Sequence, residues 1–240
     1  MLKNNKLRAR NSTILLAIIF ILSVISIISD LMQYALLNSD IGFTIEEGEE
    51  NDLRQQIIAI LMVVAYVLSY TFFIMWFRRA YFNLHQKINY LEFSEGWAAG
   101  AWFVPILNYI RPYHIMKELY VETENYLVKN KTNYTKTLKV SFLGIWWASW
   151  IIVSIFDRIS YKLSTNSETI EEMSTATLFS IVNEFITLPA CLIAIKVIKD
   201  YNKVENALFE QNQFEKLAIE SVTELSPIET EEELNKKADL

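Results

Sequence analysis

Four long apolar runs constrain this sequence more than any other feature. They lie at about 12–29, 57–77, 140–156 and 175–195, and the only charged side chain within them is Glu184. A helix needs roughly 20 mostly apolar residues to cross a hydrocarbon core about 30 Å thick. Strands of a membrane β-barrel alternate apolar and polar residues instead. The sequence therefore predicts an all-α fold, a polytopic membrane bundle of four transmembrane helices.

The distribution of Lys and Arg predicts how the bundle is oriented. Nineteen of the 22 Lys and Arg residues lie before the first run, between Arg78 and Lys139, or from Lys196 onward. With four spans these three regions share one side of the membrane, and an excess of Lys and Arg marks the cytoplasmic side. We therefore expect a multi-pass protein of a cytoplasmic membrane with both termini in the cytoplasm. The first run is interpreted as retained, because no small-residue cleavage site follows it.

The chain is predicted to divide into a membrane domain and a tail. The membrane domain covers 1–222 and includes a cytoplasmic layer at 78–139. The tail, 223–240, is polar and acidic. A segment of that composition has too little apolar surface to fold alone, so we expect it to be disordered.

Within the cytoplasmic layer, helical spacing indicates three elements. Tyr81, Leu84, Ile88 and Leu91 predict that the second span continues past the membrane as a helix. A second apolar stripe, which includes Ile115, Met116, Leu119, Tyr120 and Leu127, predicts a helix on the membrane surface or capping the bundle. The third element, 97–110, is too short to span, and we expect it to be re-entrant or interfacial.

An uncommon Trp-Phe-x-Pro-x-x-Asn run with a further proline lies in this layer. The distinctive positions are Arg79, Asn83, Gly96, Trp97, Trp102, Phe103, Pro105, Asn108, Pro112 and Glu118. This pattern, about a fifth of the chain, resembles the bacterial membrane family designated domain of unknown function 4328. The resemblance implies a four-span protein of the bacterial cytoplasmic (inner) membrane. It implies no activity.

The chemistry of this motif predicts a break in regular structure at membrane depth. Pro105 and Pro112 each remove a backbone donor, and Gly96 is expected to let backbone approach closely. Asn108 can hydrogen-bond the backbone groups that such a break exposes. Irregular backbone at this depth must lie inside protein or against a cavity. Two interpretations stay open: the segment plugs the cytoplasmic mouth of the bundle, or it is a rigid corner between two helices.

Glu184 predicts a polar site inside the membrane. A carboxylate near the bilayer centre costs on the order of 3 kcal/mol on insertion scales, so it is expected to face the bundle interior. Pro189 is expected to kink the same helix. The other residues predicted to share the site are Asn183, Tyr66, Tyr70, Trp147 and Trp150, of which an indole or a phenol can donate to Glu184. Such a site can carry protons or ions, or it can hold the helices together.

Several function classes lack support in the sequence. It contains no phosphate loop, nucleophile elbow or paired-Cys motif, and the two histidines lie far apart. We therefore predict no enzyme, no catalytic, metal or cofactor residue, and no nucleic-acid partner, since no basic face is present. The favoured function is an interaction or scaffold protein whose cytoplasmic layer binds membrane lipids, a protein partner or a second copy. The alternative is a small oligomeric channel or carrier working through Glu184.

Overall fold

A computed structural model describes residues 1–131 and 133–225 of the protein, with side chains as far as Ser221. This part of the chain is helical and contains no strand. Its helices are α1 (Lys6–Leu37), α2 (Ile45–His85), α3 (Trp97–Gly100), α4 (Arg111–Asn130), α5 (Val140–Thr165) and α6 (Ile170–Leu225), with 3₁₀ turns at Ala101–Phe103 and Leu107–Tyr109. The acidic segment 226–240, most of the predicted tail, lies outside the described residues.

Four of these helices, α1, α2, α5 and α6, are long and apolar enough to cross a membrane. The predicted all-α, four-span architecture is therefore confirmed. At 1.5 Å per residue the 56 residues of α6 extend about 84 Å, more than twice the thickness of a hydrocarbon core. Both α2 and α6 thus continue well beyond their spans, at the end of the bundle where the chain begins.

The transmembrane helices pack in the order α2, α1, α6, α5. The buried face of α1 carries small side chains, among them Ala9, Ser12, Ser23 and Ser26. Small residues let helix backbones approach closely in a membrane, which suits α1 to its place between α2 and α6. The two outer helices of this row, α2 and α5, barely contact each other.

The connections 38–44 and 166–169 meet at one end of the bundle, called here the loop end. Two capping boxes start helices there. The Glu47 backbone N–H donates to Thr44 Oγ1 at 3.2 Å in α2, and the Glu172 N–H donates to Thr169 Oγ1 at 3.2 Å in α6. Each box satisfies N–H groups that a helix start leaves without partners.

Side-chain hydrogen bonds join three helices near the loop end. Gln55 Nε2 donates to Asp30 Oδ1 at 3.1 Å, and the Ser180 hydroxyl donates to Asp30 Oδ2 at 2.8 Å. Gln33 Nε2 donates to the Thr177 hydroxyl at 2.7 Å. These bonds connect α1 to both of its neighbours, α2 and α6.

The best-packed core lies at the opposite end, in what is called here the terminal layer: residues 1–5, 78–139 and 196–221. Tyr81 and Leu84 of α2, Ile115 and Leu119 of α4, and Tyr201 of α6 are all fully buried. The predicted helix α4 exists, and its apolar stripe packs between α2 and α6, which agrees with the predicted alternative that it caps the bundle. The terminal layer is therefore a folded unit built onto the bundle.

Two predictions about helix extensions have different outcomes. The extension of α6 is confirmed, and Val197, Tyr201, Val204 and Leu208 form its buried face. The extension of α2 is confirmed only as far as His85, so Ile88 and Leu91 lie in the following loop, 86–96.

Candidate functional site

A cavity of about 490 Å³ lies between the transmembrane helices, where α2 and α5 do not pack. It is called here the cleft. Its volume falls within the 300–1,000 Å³ typical of sites for small molecules. Tyr66, Tyr70 and Phe73 of α2 line one wall, and Trp150 and Val153 of α5 line the other.

Trp102 forms the floor of the cleft on the side of the terminal layer. Its ring lies edge-on to Tyr70 at 5.7 Å and to Phe73 at 5.5 Å, between ring centroids. It also lies edge-on to Trp150 at 5.8 Å. Such edge-to-face pairs are a preferred arrangement of aromatic rings. Trp102 therefore bridges two helices that have few other contacts, such as that of Phe73 with Trp146 at 6.3 Å between centroids, and it closes the cleft at this end.

The chain reverses direction next to this floor in a strained turn. The Leu107 N–H donates to the Pro105 carbonyl at 2.8 Å, and Ile106 between them has a φ of 68°. A β-branched residue at positive φ is an outlier that costs about 1–3 kcal/mol. The side chains of Phe103 and Ile106 are both 73% exposed, so they point away from the protein. The reversal brings Asn108 back to the cleft.

Trp147 of α5 holds the end of the floor segment in place. Its Nε1 donates to the Tyr109 carbonyl at 3.0 Å, and its ring stacks on Trp150 with centroids 4.8 Å apart. This indole is one of the groups predicted to be able to donate to Glu184. In the structure its N–H donates to the backbone of the floor segment.

Two polar atoms at the floor lack partners. Trp102 Nε1 and Asn108 Oδ1 are both buried without a hydrogen bond to any described residue. Asn108 was expected to satisfy backbone groups exposed by the break, and its Oδ1 does not do so. A buried donor or acceptor left unpaired costs about 1–3 kcal/mol. Trp102 and Asn108 both line the cleft, but neither of these two atoms has surface that opens into it.

The other end of the cleft carries its charged side chains, Asp157 and Arg158. Asn183 Nδ2 of α6 donates to Asp157 Oδ1 at 2.8 Å. Of the residues predicted to form an intramembrane site, Tyr66, Tyr70 and Trp150 line the cleft, and Asn183 reaches its edge through Asp157. No three His, Cys, Asp or Glu side chains in the described part of the chain are grouped as metal ligands.

Glu184 does not line the cleft, but its charge acts on Tyr66 and Cys191, which do. It is 8% exposed and faces the Ser23 hydroxyl of α1. Its Oε2 has no hydrogen-bond partner among the described residues. Pro189 lies inside the same helix, α6. Glu184 therefore lies at the interface of α1 and α6, beside the aromatic residues that line the cleft.

The motif residue Asn83 connects three segments in the terminal layer. Its Oδ1 accepts from the Lys3 N–H at 2.8 Å, and its Nδ2 donates to Glu205 Oε1 at 2.7 Å. Asn5 Nδ2 also donates to Glu205, at 3.2 and 3.1 Å to the two oxygens. Asn83 and Glu205 are 0% and 1% exposed. The N-terminal segment, α2 and α6 are therefore joined through one buried carboxyl group.

Glu205 was missed in the sequence analysis. The signal that identifies it is its position next to Val204 and one turn after Tyr201, on the buried face of the α6 extension. Burial raises the pKa of Glu205 to about 7, although the amides of Asn83 and Asn5 and the charge of Arg79 favour its ionised form. Glu205 lies beyond the spanning segment, in the terminal layer.

Other motif residues also form contacts within the chain. Glu118 accepts from the Tyr81 hydroxyl at 2.6 Å and from the Glu92 N–H at 2.8 Å, which ties the loop after α2 to α4. The Arg111 guanidinium lies 3.7 Å from the centroid of the Trp97 ring. These contacts stabilise the terminal layer from within.

Two further motif residues, Pro112 and Gly96, were selected for their effect on the backbone, and the structure explains only the first. Pro112 lies in the first turn of α4. The N–H groups of a first turn make no hydrogen bond within the helix, so proline, which has no N–H, loses none there. A side chain at Gly96 would meet nothing within 4 Å, so close backbone approach does not explain this glycine.

The sequence profile of a family described as "Domain of unknown function (DUF4328)" matches residues 42–203, about two thirds of the 240-residue chain. The protein belongs to this family. The resemblance drawn from the motif is thereby confirmed. No curated protein and no solved structure matches the chain.

The DUF4328 match contains most of the cleft. It includes all of α2 to α5 and α6 as far as Lys203, so every lining residue except Leu16 and Ile19 of α1 falls within it. Asn5 and Glu205 lie outside the match. The cleft is thus built almost wholly from the family region, whereas the Glu205 contacts join that region to the two ends of the chain.

Proposed function

We propose that this DUF4328 protein is a non-enzymatic membrane protein that binds one lipid-like amphiphile in the cleft. The observation that carries the proposal is the position of the cavity. It lies between two transmembrane helices that do not pack, so a molecule from the hydrocarbon can enter sideways without crossing water. Trp102 closes its floor, and residues of α1 and α6, among them Ile19 and Ala190, close the side opposite the gap.

The walls of the cleft suit an apolar chain. Aromatic rings from α2 and α5 line the cleft, and most of its surface is apolar, with the hydroxyls of Ser69, Ser149 and Thr187 among the rings. A chain lying between these rings loses little on leaving the bilayer, since both environments are apolar. Affinity then depends on the shape of the walls and on the few polar contacts along them.

The other predicted role, a cytoplasmic layer that presents the motif to a protein partner or a second copy, has less support. Asn83, Glu118, Trp97 and Trp102 contact other parts of the same chain. Phe103 is exposed, and its apolar side chain at the edge of the bundle suits lipid contact. We place this layer in the cytoplasm of a bacterial cell because of its many Lys and Arg residues.

The test compares two tryptophan substitutions on α6. Ala190 lines the cleft, whereas Leu192 is 54% exposed on the outer face of the helix. Native mass spectrometry of protein extracted in mild detergent should show one tightly retained lipid in the wild type and in Leu192→Trp. Ala190→Trp fills the cleft and should lose that lipid. Equal lipid retention in all three proteins would rule out the cleft as the binding site.

A second candidate, conduction of protons or cations through an oligomer, is favoured by one observation. Glu184 is buried in the membrane, and its Oε2 has no partner among the described residues. Liposomes containing the protein should then conduct, and Glu184→Gln should remove the flux. If neither protein conducts while both fold equally well, Glu184 has a structural role at the α1–α6 interface.

A further inference from the structure

We propose that a basic patch where α1 meets α2 binds the phosphate of one anionic membrane phospholipid. Four cationic side chains form this patch: Lys3, Arg8, Arg78 and Arg79. None of them lines the cleft. The patch is therefore a second site, and the proposal does not depend on the lipid-like ligand of the cleft.

Contacts between the two helices bring the three arginines together. Arg8 Nη1 donates to the Met75 carbonyl of α2 at 2.9 Å. Arg78 and Arg79 follow Met75 by three and four residues, so all three share one face of α2. Helical side chains tilt towards the N-terminal end of their helix, which on α2 is the direction of Met75. The charges of Arg79 and Arg78 act on that of Arg8, which shows that the guanidinium groups are close.

Lys3 extends the patch by a further turn of α2. Its Nζ lies 4.6 Å from the centroid of the Phe82 ring, and its backbone N–H donates to Asn83 Oδ1 at 2.8 Å. Phe82 follows Arg78 and Arg79 by four and three residues, so it lies on the same face as they do. The segment that carries Lys3 is therefore fixed beside the two arginines.

Carboxylates neutralise little of this positive charge. Arg78 Nε lies 3.5 Å from Glu95 Oε1, with side chains that are 59% and 37% exposed, and a surface pair of this kind is weak. None of the other three cations has a carboxylate oxygen within ion-pair distance in the described part of the chain. The charge of Arg79 acts on Glu205, but that carboxyl group already accepts from two amides.

The start of α1 adds to the unbalanced charge. The N-terminal end of a helix dipole is positive and favours acidic side chains. The first turn of α1 contains no acid, although it includes Lys6 and Arg8. An anion bound beside Arg8 would reduce the repulsion among these groups.

The position of the patch along the helices fits a lipid phosphate. Arg8 lies four residues before the first apolar run, at about 12–29, and Arg78 directly follows the second, at 57–77. Both side chains therefore start where hydrocarbon gives way to head groups. Met75 is 38% exposed and offers an apolar contact to the lipid chains beside the patch.

The chemistry of the guanidinium group favours a phosphate ester. Its fixed N–H donors match the oxygens of a phosphate in pairs. A zwitterionic phospholipid has the same phosphate but also an ammonium group, which the patch repels. The lipid that fits is one whose head group has a net negative charge, such as phosphatidylglycerol.

The experiment compares two lipids on the full-length protein in one detergent by native mass spectrometry. Isotope-labelled dioleoyl phosphatidylglycerol and dioleoyl phosphatidylcholine share their chains and phosphate, and the label separates them from lipid retained since extraction. The wild type should bind the phosphatidylglycerol about tenfold more tightly. Each Lys or Arg at a membrane surface contributes on the order of fivefold to binding of anionic lipid.

Two neighbouring arginines of α1 provide the variant and its control. Arg8→Gln and Arg10→Gln remove the same charge, but Arg10 is exposed and, two residues away, faces a different direction. Arg8→Gln should lower the preference for phosphatidylglycerol about fivefold, whereas Arg10→Gln should keep it within about twofold. If Arg8→Gln does not fold, Arg78→Gln, on an exposed side chain, should lower the preference by a similar factor.

Three outcomes would overturn the proposal. The first is equal binding of the two lipids by the wild type, or an equal effect of Arg8→Gln and Arg10→Gln. The second is displacement of the lipid by glycerol phosphate at the same concentration, which would show that the patch binds a soluble phosphate ester. The third is loss of the preference in Ala190→Trp, which would assign the anionic lipid to the cleft. Ala190→Trp should instead keep the preference, so the two proposals fail separately.

Discussion

The carboxyl group of Glu205 is buried where water cannot solvate it, so the stability of its ionised form depends on the groups around it. Two amides, from Asn5 and Asn83, donate to it, and the positive charge of Arg79 favours its ionised form. The ring of Tyr201 lies one turn earlier on the same buried face. These contacts offset only part of the desolvation, and the pKa of Glu205 is therefore raised to about 7.

This raised pKa predicts a stability that depends on pH. The ordinary pKa of the group is 4.5, so between about pH 4.5 and 7 the folded protein binds a proton that the unfolded chain does not. Its contribution to the free energy of unfolding is fully present below pH 4.5 and is lost as the pH rises through 7, by on the order of 3 kcal/mol. Glu205→Gln should remove this component.

Thermal unfolding in detergent between pH 5 and pH 8 checks the prediction. The melting temperature of the wild type should fall towards pH 8 more steeply than that of Glu205→Gln. Other acids contribute equally to both proteins, so the difference between the two curves isolates Glu205. Parallel curves would show that the group is ionised throughout this range.

Individual residues show where sequence reasoning reached its limit. Pro105 predicted a break in helical structure, and the break is present. The strained φ of Ile106 was not predicted, because β-branched residues seldom adopt it. Distant contacts, such as that of Trp147 with the Tyr109 carbonyl, hold the floor segment in place. No local pattern encodes such contacts.

At the scale of helices, the features that the sequence predicted well are those set by neighbouring residues in the chain. The apolar runs and the stripe on α4 follow from spacing along one helix, and both are found in the structure. The pairing of helices is not local. The number of residues from the membrane edge predicted that Trp147 lies at the depth of Glu184. It could not predict how α5 is rotated about its axis, and therefore which residues Trp147 faces. For the same reason the gap between α2 and α5, and hence the cleft, was not predicted.

A buried acid, Glu124, accepts hydrogen bonds from the backbone of the connection between α4 and α5. Glu124 of α4 is 3% exposed and accepts from the backbone N–H groups of Thr137 and Leu138, the latter at 3.0 Å. Glu124→Ala leaves both donors without this partner, at about 1–3 kcal/mol each. We expect trypsin to cleave native protein at Lys136 at least about tenfold faster, because the segment opens more often.

Glu124→Gln is the matched control, because its side-chain oxygen still accepts from both N–H groups. It should be cleaved at close to the wild-type rate. The rates are read by mass spectrometry of the fragments from folded protein in detergent. Equal cleavage of the Ala and Gln variants would show that Glu124 does not hold the connection.

At the scale of the whole molecule, the loop end and the terminal layer lie at opposite ends of a bundle whose four long helices could cross a membrane. From the distribution of Lys and Arg we propose that the terminal layer lies in the cytoplasm. The single cysteine, Cys191, is buried, so a Cys191→Ala background allows new cysteines to report on each side. Asn166→Cys at the loop end should react with a membrane-impermeant maleimide in intact cells. Asn130→Cys in the terminal layer should react only after permeabilisation, and the reverse pattern would contradict the orientation.

The contact between Asn5 and Glu205 joins positions 200 residues apart in the chain. At about 5–20 residues per second, a ribosome needs on the order of 10–40 s to synthesise the interval between them. Asn5 is made before Glu205, the side chain that receives it, and the interval separates the two. Assembly of this part of the terminal layer therefore waits until Glu205 has been made. A nascent chain that stalls before Glu205 exposes the apolar faces of α2 and α4, the kind of surface by which quality-control proteases recognise an unfinished protein.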